Sequence, residues 1–369
     1  MARAWHLESR PKGMPTTDNF ALKPIDLPDP GKGELRIANR WLSVDPYMRG
    51  RMYDRESYVP PFQIGEVLTG TAVGRVTASG HPDYSEGDLV TSMAGWRDVW
   101  TGKPEELMVN KIPDTGLPDS ALLGVAGMPG LTAYAGLLKV AELKEGDTVF
   151  VSGAAGAVGS TVVQIAKIKN CTVIGSAGGE EKCKLLKEIG ADHVIDYKAH
   201  TDYESLLGAL KKAAPKGIDV YFDNVGGDHL EAAIECARPM ARFAECGMIS
   251  QYNATEPQPG PWAGSITSVE GMLELVAVHA LAVVSHGQST VGQGDPNLVA
   301  AVTAVAGQRV LEHCLAPLHR RDVGNGGTGR GGQPPHVGFE VREVAAVQAS
   351  AAETFDGVRE AVVERRVHP

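Results

Sequence analysis

Val149-Phe150-Val151-Ser152-Gly153-Ala154-Ala155-Gly156-Ala157-Val158-Gly159 is the stretch that decides the fold. A compact apolar strand from Asp147 to Ser152 ends in a Gly/Ala turn, and helical periodicity takes over from Val158 to Lys169. Gly156 lets the backbone approach a pyrophosphate, and Gly159 lets the helix pack close to the strand. The helix N-terminus, with Gly156, Ala157, Val158 and Gly159, offers free N–H groups and a positive dipole end to phosphates. Ala154 stands where the first glycine of a GxGxxG fingerprint would be. A plain tight turn can also be glycine-rich, but the strand before and the helix after favour a dinucleotide site.

Working outward, Cys171–Gly175 reads as the next strand and Glu181–Ile189 as a helix stopped by Gly190. His193–Asp196, Val220–Asp223 and Arg242–Gly247 read as further strands. Strands alternating with helices predict an α/β fold, a doubly wound parallel Rossmann sheet. The second strand runs Val173-Ile174-Gly175-Ser176-Ala177-Gly178-Gly179 and carries no acid at its tip. An NAD site usually places a carboxylate there to accept the ribose hydroxyls. Its absence leaves room for a 2′-phosphate, which Lys182 at the start of the next helix is placed to meet. A solvated helix lysine is the competing reading. NADPH is therefore the expected cofactor.

Before this region, Glu34–Val44 alternates with the strand period of two, and Val67–Thr77 is a second extended run broken by Gly70 and Gly74. Pro and Gly punctuate these runs about every eight to twelve residues, the spacing of a small barrel or sandwich. The expected division is a β-rich domain over 1–125, a Rossmann domain over 126–300 and a C-terminal segment over 301–369. Within that segment Gly324–Pro335 is low in complexity and reads as unstructured, and Ala351–Glu364 reads as a helix.

Composition narrows the function. The 369 residues are 43% hydrophobic and 22% charged, ordinary for globular domains. A formal charge of −10 argues against a nucleic-acid groove binder. No apolar run reaches the ~18 residues of a membrane span, and the N-terminus lacks an apolar signal core, so the cytoplasm is expected. Five scattered cysteines contain no CxxC pair, and residues 1–170 contain none at all, so no zinc site is signalled.

A set of motifs then points to one family. Ser43-Val44-Asp45-Pro46-Tyr47-Met48-Arg49-Gly50, Gly127-Met128-Pro129-Gly130-Leu131-Thr132-Ala133-Tyr134, Ala154–Ser160, Gly178–Cys183, Tyr221-Phe222-Asp223-Asn224-Val225-Gly226-Gly227 and Cys246-Gly247-Met248-Ile249-Ser250-Gln251-Tyr252-Asn253 occur in order over roughly residues 1–260. Together they resemble the zinc-independent medium-chain dehydrogenase/reductases, the branch of prostaglandin, alkenal double-bond and curcumin reductases. The resemblance implies a partly open, GroES-like β-barrel catalytic domain, a Rossmann domain and a cleft between them. It implies NADPH-dependent reduction of the carbon–carbon double bond of α,β-unsaturated ketones or aldehydes, by a dimer. Carried over by motif, Gly156–Gly159 hold the pyrophosphate, Lys182 meets the 2′-phosphate and Tyr197 lies beside the adenosine. Asn224 and the Cys246, Gly247, Ser250 and Tyr252 loop line the nicotinamide side, and Tyr53, Met128 and Tyr252 border the substrate.

Tyr252 is the expected catalytic donor. It sits just past a strand end, where a hydroxyl can hold the charge that develops on a carbonyl oxygen; a loop tyrosine packed on the barrel is the alternative. The resemblance stops after about Gly264, where the closing strands of the family are replaced by the Gly-rich tract. Two other functions stay open: an NADPH quinone reductase, and a catalytically impaired NADPH-binding protein with a diverged or frameshifted C-terminus.

Overall fold

The computed structural model describes residues 2–255, apart from 56, 58, 114 and 115, together with the backbone of a strand at 274–277. The expected features at Gly324–Pro335 and Ala351–Glu364, and most of Val276–Ser285, lie outside the described residues.

The chain begins with an antiparallel pair, β1 (Ala2–Leu7) and β2 (Phe20–Ile25). Strand β3 (Leu35–Leu42), helix α1 (Tyr47–Arg51), β4 (Ala72–Ser79), β5 (Leu89–Ser92), β6 (Val99–Gly102) and β7 (Asn110–Lys111) follow. These strands form a five-stranded antiparallel sheet in the order β6-β3-β4-β5-β7. Single bridges, Ala4 to Arg97 and His6 to Val67, tie β1 onto its edge and begin to close it. Leu35, Ile37, Val76, Val90 and Trp100 fill the inside, as alternation along β3 and β4 requires. The strand expected at Val67–Thr77 begins only at Ala72. Gly70 is the reason: a side chain there would meet the Met48 Cε at 2.4 Å, so the backbone passes α1 too closely to pair regularly.

Helix α2 (Met128–Tyr134) and a π-helical turn at Ala135–Val140 lead to the second sheet. It contains β8 (Thr148–Val151), α3 (Ala157–Ile168), β9 (Thr172–Ala177), α4 (Glu180–Glu188), β10 (His193–Asp196), α5 (Tyr203–Ala213), β11 (Ile218–Asp223), α6 (Asp228–Glu235), β12 (Ala237–Glu245) and β13 (Glu274–Ala277). All pairings are parallel, in the order β10-β9-β8-β11-β12-β13. Both faces are covered. Val149, Val151, Val173, Val220 and Phe222 point into one core with Val162, Val163 and Ala166 of α3. Phe150, Ile174, Tyr221 and Phe243 point into the other with the leucines of α5 and α6. Strands buried on both faces explain the near-continuous apolar runs of the sequence. The α/β class with a doubly wound sheet and a second antiparallel sheet is thus observed. No described helix is long and apolar enough to cross a membrane.

Candidate active site

The strand order reverses between β8 and β11, and in open α/β sheets ligands bind beyond the carboxyl ends of the strands at such a switch point. The two strand ends are laced together there. Ser152 donates its hydroxyl to Asp223 Oδ1 at 2.8 Å and accepts the Asn224 N–H at 2.9 Å. Asn224 Nδ2 donates to the Ser152 carbonyl at 2.7 Å. Gly153 then turns with φ +56°, a left-handed conformation that favours glycine. Gly156 caps α3, and Ala157 and Val158 open it, so their N–H groups have no carbonyl one turn back. Gly159 is buried against the strand; a Cβ there would lie 2.5 Å from the Gly153 carbonyl oxygen. Bare backbone, a helix N-terminus and close packing are what a pyrophosphate cradle needs, so these residues fit a dinucleotide.

The end expected to take the adenosine is built on the β9–α4 turn. Gly178 lies under Tyr197, whose ring would be 2.8 Å from any Cβ at that position. Gly179 donates its N–H to Asp196 Oδ1 at 3.0 Å, and Lys198 donates its own at 3.0 Å. These backbone donors hold the Asp196 carboxyl below its usual range. The nearest acid of β10 is thereby turned onto the backbone. Lys182 is exposed in the first turn of α4, beyond the same glycines.

The other end joins the two sheets. After β12 the loop folds back on the Asn224–Gly227 turn: Cys246 and Gly247 donate N–H bonds to the Asp223 carbonyl, and Ser250 donates its N–H (3.1 Å) and hydroxyl (2.6 Å) to that of Val225. A short 3-10 turn, Ile249–Gln251, delivers Tyr252, whose hydroxyl lies 3.1 Å from the place a Gly247 Cβ would occupy. Tyr53, just past α1, donates its hydroxyl to the Tyr252 carbonyl at 3.2 Å. Arg49 of α1 is buried and donates to Asn253 Oδ1 (2.8 Å), the Gly13 carbonyl (2.8 Å) and the Tyr53 hydroxyl (2.9 Å). Its guanidinium also sits 4.2 Å from the Tyr53 ring centroid, a cation–π contact.

The expected residues therefore gather in three clusters. Gly156–Gly159 and Asn224 share the switch point, Lys182 and Tyr197 flank the second-strand turn, and Tyr53 meets Tyr252. Met128 opens α2, a helix packed along α3. Burial, then the neighbouring carboxyls of Asp223 and Glu245, push the Cys246 thiol up to about 12, so it serves as a small packing residue. Sequence reasoning misses Ser152 and Asp223 as a polar tie, His229, whose ring nitrogen lies 2.9 Å from Ser176 Oγ, and the Arg49–Asn253 contact. Among the described residues no three His, Cys, Asp or Glu side chains are grouped to hold a metal ion.

Residues 3–109 match the family described as N-terminal domain of oxidoreductase, and residues 157–272 the one described as zinc-binding dehydrogenase. The NADPH-dependent curcumin reductase of Escherichia coli (strain K12) is 47% identical over 260 residues, 70% of this chain and 74% of that protein. Prostaglandin reductase 1 of Oryctolagus cuniculus is 44% identical over 277 residues, covering 74% and 76%. The crystal structure of CurA in complex with NADPH from Vibrio vulnificus superposes with a TM-score of 0.69 at 42% identity, over 78% of this chain and 85% of that one. With both domain types present and this identity sustained across the site, the chain belongs to the zinc-independent medium-chain dehydrogenase/reductase family.

Proposed function

We propose that the protein is an NADPH-dependent reductase of the carbon–carbon double bond of α,β-unsaturated ketones or aldehydes, with hydride delivered to the β-carbon. The observation that carries this reading is the pairing of a bare-backbone cradle at the β8–β11 switch point with a second-strand turn that has no acid at its tip. The 47% identity to the NADPH-dependent curcumin reductase supports it. The dinucleotide, when bound, is the source of the hydride.

The chain's own residues bind and orient. The α3 N-terminus with Gly156, Ala157, Val158 and Gly159 holds the pyrophosphate. Lys182 pairs with the 2′-phosphate and Tyr197 covers the adenosine edge. Asn224 and the Cys246–Tyr252 loop border the nicotinamide side. Tyr53, Met128 and Tyr252 wall the substrate, and the Tyr252 hydroxyl donates to the carbonyl oxygen as charge develops on it. Residues 1–125 form the catalytic domain and 126–300 the dinucleotide domain, in a cytoplasmic homodimer.

Following the loss of NADPH absorbance with a panel of enones, enals and quinones tests the reading. Turnover of enones with a saturated ketone as product supports it. Turnover of quinones alone, or NADPH binding with no turnover, overturns it.

A further inference from the structure

One buried pair of acids has no part in the assignments above. Asp223 ends β11 and Glu245 ends β12, and the two are register partners on neighbouring strands. Both point to the same face of the sheet, above Tyr221 and Phe243. Asp223 is fully buried and Glu245 is 8% exposed. Asp223 Oδ1 gathers the Ser152 hydroxyl (2.8 Å), the Tyr221 hydroxyl (2.7 Å), and the N–H groups of Val225 (2.8 Å) and Gly226 (2.9 Å). Its other oxygen, Oδ2, and Glu245 Oε1 have no donor among the described residues.

Two buried carboxylates side by side would both lose their hydration and repel each other. One shared proton removes the problem, as in other carboxyl pairs. Asp223 Oδ1 already accepts four hydrogen bonds whereas Glu245 Oε1 has no donor, so the proton belongs on Glu245. We propose that Glu245 is a positioning residue: it donates a carboxylic-acid proton to Asp223 and so fixes the carboxylate that shapes the Asn224–Gly227 turn. That this turn faces the nicotinamide rests on the function proposed above.

The surroundings agree. Burial first, then the Asp223 charge and a hydrogen bond to it, hold the Glu245 carboxyl well above its usual range. The titratable groups facing the pair are Tyr221 from β11, raised mainly by burial, Cys246 from the end of β12, and His229 of α6, which burial holds low and therefore neutral. Asp228 of α6 adds a further negative charge near His229. No described cation neutralises a second carboxylate here. A group raised in this way favours the folded state most below its unfolded value, and that contribution is lost as pH rises through the folded value. A rise in pH through that folded value therefore loosens the turn.

Amide hydrogen exchange of the full chain, read as protection factors for Val225 and Gly226 between neutral and alkaline pH, tests this alongside NADPH titration. Wild type should lose about tenfold or more in protection and in NADPH affinity as Glu245 ionises, the scale of one charge-assisted hydrogen bond. Glu245→Gln, whose amide donates at every pH, should keep both and remove the alkaline loss. Glu245→Val, with no donor, should show the low protection already at neutral pH. An alkaline loss unchanged in Glu245→Gln, or full protection in Glu245→Val, overturns the proposal. Absence of NADPH binding in wild type would sink the proposed function alone, because the exchange contrast still decides the role of Glu245.

Discussion

Arg49 Nε donates to Asn253 Oδ1 at 2.8 Å, across 204 positions of the chain. One guanidinium thus joins the helix that follows β3 to the loop that follows β12, and holds Tyr53 and the Gly13 carbonyl as well. Truncating it leaves three part-buried acceptors with a missing donor. Arg49→Ala should lower the unfolding free energy by about 3 kcal/mol, the cost of breaking a buried charged network. Arg49→Lys should recover only part, because an ammonium lacks the planar fork. Denaturant midpoints check this, and an Arg49→Ala midpoint equal to wild type would show that the contact is energetically idle.

Lys182→Ala should weaken NADPH binding by about 1–3 kcal/mol, a lost charge-assisted hydrogen bond, and leave NADH almost unchanged. The lysine is exposed, so its removal disturbs no packing. Calorimetric titration with both dinucleotides decides; equal weakening of both would remove Lys182 from the phosphate site.

Two neighbouring glycines should separate cofactor contact from fold. A Cβ on Gly159 would strike the Gly153 carbonyl at 2.5 Å and Ala154 Cα at 2.7 Å, and neither can yield. Gly159→Ala should therefore cost about 1–3 kcal/mol of stability through overpacking. Gly156 is exposed, and its nearest neighbour is 3.2 Å away. Gly156→Ala should melt like wild type yet bind NADPH more weakly, which thermal melts with and without NADPH can read.

Tyr252→Phe should lower kcat on an enone about a hundredfold, the usual cost of one lost oxyanion donor, with NADPH affinity nearly constant. If Tyr252→Phe keeps wild-type kcat while Tyr252→Ala raises KM, the ring is a wall and the donor lies elsewhere.

Cys246 should alkylate slowly in the folded protein. With its thiol pushed up to about 12, almost none is thiolate at pH 8, and only the thiolate reacts. Iodoacetamide labelling followed by peptide mass spectrometry should give a rate at least about a hundredfold below that in urea. Comparable rates would mean the site opens readily.

The parallel sheet was legible because its central strands are buried on both faces and therefore read as near-continuous apolar runs: β8 lies within the expected Asp147–Ser152 and α3 within one residue at each end. The glycine turn was legible because its chemistry needs bare backbone. Side-chain pairing between distant strands was not. Ser152, Asp223 and Glu245 each look like an ordinary strand-end polar residue in sequence, and only the order β8-β11-β12 makes them neighbours. The alternation Tyr221–Asp223 and Phe243–Glu245 did carry a signal, since it places two acids on the same face as two buried aromatics. Arg49 was visible as part of a motif, but its partner 204 residues away was not.

Tyr197 resting on Gly178 bears on how coenzyme preference can change over evolutionary time. The direct route to an NAD-using descendant places an aspartate at the tip of β9. At Gly178 that side chain would begin 2.8 Å from the tyrosine ring, and at Gly179 it would have to adopt φ +93°, which costs L-residues dearly. The acid at Gly178 therefore displaces the Tyr197 ring, and with it the adenosine contact proposed for that tyrosine, in the same step that installs the charge. That variant would use either coenzyme poorly, so sterics as well as charge would keep descendants with NADPH.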